Sequence, residues 1–220
     1  MLTDSYRHKG LRKKLVDELK HMGISDQRVL DAINAVPRHY FLTSAFLEFA
    51  YDNKAFQIGE GQTISHPYTV AIQSQLLSVE PGMKVLEIGT GSGFQTAVLC
   101  ELGAKVYSIE RQKLLHENSK KLLAKMGYKT YLSYGDGYKG LPSFAPFDRV
   151  IITCAIPKVP EDLLMQLKPG GILVMPFGEG EVQRMMVVKE LPDGTFESEL
   201  HGEFSFVPML EKRNSGTFNQ

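Results

Sequence analysis

The sequence predicts an α/β fold: a doubly wound, seven-stranded and mostly parallel sheet, with helices ahead of it and an antiparallel strand pair at its end. Three observations predict it. From Pro67 onward, short apolar runs of β type alternate with helical patterns, as parallel strands joined by right-handed crossovers require. A glycine-rich turn, "GTGSG", stands where the first of those strands meets the helix after it. The final stretch breaks the alternation and runs strand, turn, strand, so its two strands lie antiparallel.

The elements follow in order. In "LRKKLVDELKHMG" the apolar residues Leu11, Leu15, Val16 and Leu19 recur at helical spacing, and Gly23 supplies a stop. In "SDQRVLDAINAVP" Ser25 or Asp26 is the cap, Val29, Leu30 and Ile33 share a face, and Pro37 terminates. The basic cluster from Arg7 to Lys14 precedes Asp17 and Glu18 closely and reads as a solvated helix face. Next come the strand "MKVLEIG", the helix "GFQTAVLCELG", the strand "AKVYSIE", the helix "QKLLHENSKKLLAKMG" and the strand "KTYLSYGDG". "FDRVIITCAI" is a further buried strand, "EDLLMQLKPGG" a helix with its turn, and "ILVMPFG" a strand. "VQRMMVVKEL" and "GEFSFVPML" form the closing pair across "PDGTF". Residues 1–60 are therefore expected to be a helical extension packed on the core, 61–212 the core itself, and 213–220 a flexible tail.

Composition narrows the function. The 220 residues hold 25 Lys+Arg and 25 Asp+Glu, so no global charge draws the chain to nucleic acid or to an anionic membrane. No apolar run approaches the roughly 18 residues of a membrane span. Cys100 and Cys154 sit in apolar stretches and read as buried free thiols, which with the lack of a leader pattern points to a cytoplasmic protein. The six histidines show no metal-ligand spacing, so no metal is expected.

"VLEIGTGSGF" places Gly89, Gly91 and Gly93 at a strand-to-helix turn, where backbone without Cβ lets a ligand come close to free N–H groups. The dinucleotide fingerprint wants a third glycine at the position held by Phe94, and Glu87 inside the strand would repel a pyrophosphate. A carboxylate there suits a ligand bearing an ammonium and a sulfonium. Glu110 ends the second strand, where it can accept both ribose hydroxyls; Asp136, beside Gly137 in "GDG", ends the third and is placed for an adenine amino group. For each acid alone, a helix cap or turn role explains it equally well. Three acids at the carboxyl ends of three successive strands favour S-adenosylmethionine.

These residues resemble those of the class I methyltransferases, which have a Rossmann-like fold. "TCAIPKVP" lacks the Asn/Asp-Pro-Pro-aromatic motif of enzymes that methylate base amino groups. "GQTISHPY", "VLEIGTGSGFQTAVL", "VYSIER", "GDGYKG", "APFDRVIIT", "LKPGGILVMPFGEG" and "FVPML" resemble, in order and spacing, the protein-L-isoaspartate O-methyltransferases. His66 and Cys154 depart from the family's commoner residues. The resemblance implies esterification of the free carboxylate of isoaspartyl residues in peptides and proteins; no nucleic acid or membrane partner is expected from the charge balance, and the chain is expected to be a monomer. The resemblance sets Ser65 beside that carboxylate as the orienting catalytic residue, and Thr63, Ile64, His66, Val207 and Pro208 around the substrate. Ser65 has a competing reading as the cap of the helix that Pro67 begins.

Three alternatives stand beside this reading: a methyltransferase for another carboxylate or small molecule, a non-catalytic S-adenosylmethionine-binding module, and a nicotinamide-dependent oxidoreductase, which Phe94 and Glu87 disfavour. A serine hydrolase would need Gly-x-Ser-x-Gly, and neither Ser65 nor Ser92 has glycine two residues before it.

Overall fold

The computed structural model describes residues 3–210, so the expected tail lies outside the described residues. Two helices come first, α1 (Tyr6–His21) and α2 (Gln27–Ala35). Ser5 caps α1, and its side chain accepts from the His8 N–H; Asp26 caps α2 through the Arg28 N–H. A hairpin that the sequence reading lacks follows: β1 (Phe56–Gly59) pairs antiparallel with β2 (Gln62–Ile64). Its tip is Glu60–Gly61, both with positive φ of 54° and 66°. The expected boundary between extension and core falls on that tip.

Then come α3 (Pro67–Leu77), β3 (Lys84–Ile88), α4 (Phe94–Glu101), β4 (Lys105–Glu110), α5 (Lys113–Lys125), β5 (Tyr131–Tyr134) and β6 (Phe147–Ile152). The chain closes with α6 (Glu161–Leu164), β7 (Leu167–Phe177), β8 (Gln183–Glu190) and β9 (Phe196–Phe204). The seven-stranded sheet runs β5-β4-β3-β6-β7-β8-β9. Its first five strands in that order are mutually parallel, and β8 and β9 are antiparallel to their neighbours. The order reverses at β3, which has β4 on one side and β6 on the other, and such a switch point opens a crevice at the strand carboxyl ends.

Two expected elements need correction. The helix expected over "EDLLMQLKPGG" is one turn, because Pro169 cannot donate to a helical ladder and forces Lys168 extended; β7 takes over at Leu167. The strand expected over "GEFSFVPML" begins earlier, at Phe196, and ends at Phe204. Beyond it, the Val207 carbonyl accepts from the Ala155 N–H at 2.8 Å and the Met209 N–H donates to the Ala155 carbonyl at 2.7 Å. That pairing skips Pro208, which has no N–H to give, and carries the segment across the crevice mouth.

The sheet separates two apolar cores. Residues of α1 to α5 pack with Val85, Val106, Ile151 and Val174 on one face; Leu86, Ile88, Val150 and Leu173 join Leu163 of α6 on the other. Leu15, Leu19, Val29, Leu30 and Ile33 are buried to 2% exposure or less in the first core, so the N-terminal helices share it with α3 and α4.

Candidate active site

The crevice opens over the carboxyl ends of β3 and β4. Gly89, Gly91, Glu110 and Gly137 line it, together with Thr63 to His66 from the approach to α3 and Val207 and Pro208 from the segment after β9. The structure therefore brings most of the expected site residues together.

The glycine turn is shaped by a hydroxyl. Thr153 Oγ1 lies 3.0 Å from the Ile88 carbonyl and 2.7 Å from the Gly89 carbonyl, sharing its proton across the gap between β6 and β3. A Cβ on Gly89 would stand 2.5 Å from that oxygen, and the backbone there has φ of +94°. Only glycine fits. At the end of β4 the Glu110 carboxylate, 4% exposed, accepts the Gly91 N–H through Oε2 and the Gln112 N–H through Oε1, both at 2.8 Å. Burial raises its pKa, and these backbone bonds pull the other way. The Arg111 N–H adds a third backbone bond to the same carboxylate.

Glu87 requires a correction. Side chains alternate along a strand, so Glu87 shares the face of Val85 and points beneath α4 instead of into the crevice. It is wholly buried, and its Oε2 accepts from Thr96 Oγ1 at 2.5 Å while Oε1 has no partner. Burial pushes its pKa up to about 7. It therefore supports the glycine turn from below. Gly93 also lies outside the lining; it is the N-cap of α4 with φ of +91°, and a Cβ there would press on Leu123 of α5 at 3.1 Å. Asp136 caps the short turn Gly137–Lys139 through the Tyr138 N–H, and its neighbour Gly137 is the residue that reaches the crevice.

The segment from Thr63 to His66 is the end of β2 and the approach to α3. The N-cap of α3 is His66, with no side-chain cap bond, and Pro67 takes the first helical position. The cap reading of Ser65 therefore fails. Its half-buried hydroxyl makes no hydrogen bond to the described residues and borders the crevice. His66 is held below its ordinary pKa by burial and, second, by the charge of Arg38. The Cys154 thiol, on the lining, is pushed up to about 12 by burial, so it is no thiolate nucleophile.

Among the lining residues that sequence reasoning missed, three stand out. Phe94 lines the crevice because it opens α4, and its apolar character hides it among core residues. Gln95, 7% exposed, gives Nε2 to Ser74 Oγ at 2.9 Å and leaves Oε1 without a partner. Met209 reaches the crevice through the pairing with Ala155. Their signals are positions relative to motifs, and no residue type announces them.

Residues 10–214 match the family model described as protein-L-isoaspartate(D-aspartate) O-methyltransferase. The chain is 54% identical over 214 residues to a protein-L-isoaspartate O-methyltransferase of Christiangramia forsetii, covering 97% of this chain and 100% of the relative. A protein of the same name from Dictyoglomus thermophilum is 46% identical, with 94% of this chain and 93% of the relative covered. A solved protein-L-isoaspartate O-methyltransferase superposes with a TM-score of 0.80 at 30% identity, over 90% of this chain and 65% of that one. A Plasmodium falciparum structure, described as a complex with S-adenosyl-L-homocysteine, superposes at 0.78 over 90% of this chain and 98% of its own, and at 21% identity it speaks for the fold alone.

Proposed function

Because the chain belongs to the protein-L-isoaspartate(D-aspartate) O-methyltransferase family, we propose that its crevice esterifies the free carboxylate of L-isoaspartyl residues in damaged peptides and proteins, using S-adenosylmethionine. The observation that carries this reading is that the half-buried Ser65 lines the same crevice as Glu110 and the Cβ-free turn at Gly89 and Gly91. Those groups fit the cofactor. Glu110 would take the ribose hydroxyls, Gly137 would let the adenosine end approach closely, and the orphaned Gln95 Oε1 would accept an N–H donor in place of Glu87.

When bound, S-adenosylmethionine supplies a methyl group on a positively charged sulfur. The substrate carboxylate is ionised near neutral pH, its ordinary pKa being about 3.3 to 3.9. Transfer of the methyl group to a carboxylate oxygen would leave a methyl ester and a neutral thioether, the electron pair of the broken carbon–sulfur bond going to sulfur and no proton moving. The protein therefore needs no general base. Ser65 donates its hydroxyl to orient the carboxylate, and the apolar wall of Phe94, Val207 and Met209 strips water from it. Thr63, Ile64 and His66 shape the wall around the damaged backbone. The ester's methoxide is a better leaving group than a carboxylate oxygen, which opens the abnormal linkage to ring closure and starts repair.

No described helix is long and apolar enough to cross a membrane. We read the enzyme as a cytoplasmic monomer that meets exposed damaged segments one at a time. Incubation with methyl-labelled S-adenosylmethionine and an isoaspartyl peptide tests the assignment: a base-labile ester on the peptide is expected, and label confined to other products would refute it.

A further inference from the structure

Arg38 is 1% exposed, on the short turn Arg38–Phe41 that follows Pro37. Among the described residues no carboxylate pairs with it. Its Nη2 donates to the Lys54 carbonyl at 2.9 Å, while Nε and Nη1 have no partner. The guanidinium lies 4.8 Å from the centre of the Phe94 ring. Burial lowers its pKa to about 9, which still leaves it charged at neutral pH. The contrast with Arg12 is sharp: that residue, 6% exposed, is met by both oxygens of Asp4 at 3.1 and 3.0 Å and by the Tyr51 hydroxyl at 3.2 Å. Burying a cation without its anion is strongly unfavourable. Such a charge calls for an anion that the described residues do not supply.

The surroundings of Arg38 say where that anion goes. Phe94 lines the crevice, and Lys54 precedes Ala55, which also lines it. The charge is felt at His66, beside Ser65. From Gln62 to Val70 and from Ser205 to Leu210, the lining residues include no acid and no permanent cation. We propose that Arg38 is a positioning residue for the substrate carboxylate: its unanswered charge, held behind Phe94, draws the anion to the Ser65 end of the crevice and selects a free carboxylate over a carboxamide. This rests on the reading that the crevice esterifies a carboxylate. A cation in direct contact would occupy the lone pair that must attack. One set behind an aromatic ring attracts the anion without claiming that pair, and in a water-poor wall its field is weakly screened.

The test uses the full chain with Arg38→Met, Arg38→Gln and Arg38→Lys. With saturating S-adenosylmethionine, KM for an isoaspartyl peptide should rise about tenfold or more in the Met and Gln variants, the scale expected for a lost charge interaction, while kcat falls less. Burial lowers a lysine's pKa as it lowers that of Arg38, so Arg38→Lys is compared at about pH 6, where its ammonium keeps the charge and should hold KM within about threefold of wild type. Inhibition by the same peptide with an α-carboxamide should be unchanged throughout, as should cofactor affinity. The melting temperature of Arg38→Met should not fall, since an unpaired buried charge is removed. Should that variant fail to fold, Arg38→Gln, which can still donate to the Lys54 carbonyl, carries the comparison. An unchanged KM in a folded neutral variant would overturn the proposal, as would equal impairment by the lysine and methionine substitutions at about pH 6, which would mean that shape and not charge matters. A wild-type enzyme inert toward the isoaspartyl peptide would instead strike the underlying assignment.

Discussion

At the scale of single residues, some groups face the substrate and others hold the site up. In the proposed reaction Ser65 belongs to the first kind. With no cap bond to make and a nucleophile already ionised, its hydroxyl would orient the carboxylate, so Ser65→Ala should slow turnover by up to the order of a hundredfold, the cost of misplacement by about 1 Å. Cofactor affinity should hold, and intact-mass measurement should show no adduct; a covalent species on Ser65 would contradict the mechanism. Glu87 belongs to the second kind. Its folded pKa of about 7 lies above the ordinary 4.5, so the folded state binds the extra proton and stability falls as pH rises between those values. Full ionisation costs on the order of 3 kcal/mol. Relative to wild type, Glu87→Gln should therefore gain stability between about pH 5 and pH 8, read as urea midpoints across that range; parallel curves would contradict the burial argument. Much of this scale was legible in the sequence: Ser65, Glu110, Gly89 and Gly91 line the crevice where the motifs place them. Glu87 was not, because its direction depends on the alternation of β3 relative to α4, and that parity appears only once Val85 and Glu87 are seen under the same helix. Arg38 was equally hidden, since nothing in "AVPRHYF" tells a buried guanidinium from a solvated one.

At the scale of elements, alternation and turn chemistry carried the reading, and proline decided where it failed. The parallel strands β3 to β7 and the antiparallel β8 and β9 follow the expected order, while Pro169 shortens α6 and Pro208 takes the last segment out of the sheet. The hairpin of β1 and β2 escaped notice because each strand is only three or four residues long, too short for a period to show. The turn between β3 and α4 gives the clearest element-level prediction. Gly89→Ala must fit a Cβ 2.5 Å from the Thr153 hydroxyl at φ of +94°, whereas Gly91→Ala meets only Ile58 at 3.6 Å with φ of +53°, inside the left-handed region. Gly91→Ala should cost about 1 to 2 kcal/mol. Gly89→Ala should cost distinctly more, because the Thr153 bonds that join β6 to β3 must also give way. Denaturant unfolding of the two variants decides it; equal losses would mean that Thr153 does not constrain the glycine turn.

At the scale of the whole molecule, the approach to α3, the sheet and the closing segment converge on one crevice. Ser65 comes from the approach to α3, Glu110 from β4, and Val207 from the segment beyond β9, while Arg38, on the turn after α2, packs against Phe94 of the lining. The expected division of the chain at residue 60 marks a hairpin tip, and Leu15 to Ile33 pack in the same core as α3 and α4. In the proposed reaction, substrate specificity is therefore a property of the assembled chain, with Glu110 and the glycine turn assigned to the cofactor and the Ser65 segment to a carboxylate one bond from Cα. The most direct measurement is the rate of labelled methyl transfer from S-adenosylmethionine to an isoaspartyl peptide and, in parallel, to the isomeric peptide with a normal aspartyl linkage. Rapid esterification of the first and little of the second is the expected result. Equal rates on the two isomers would contradict it.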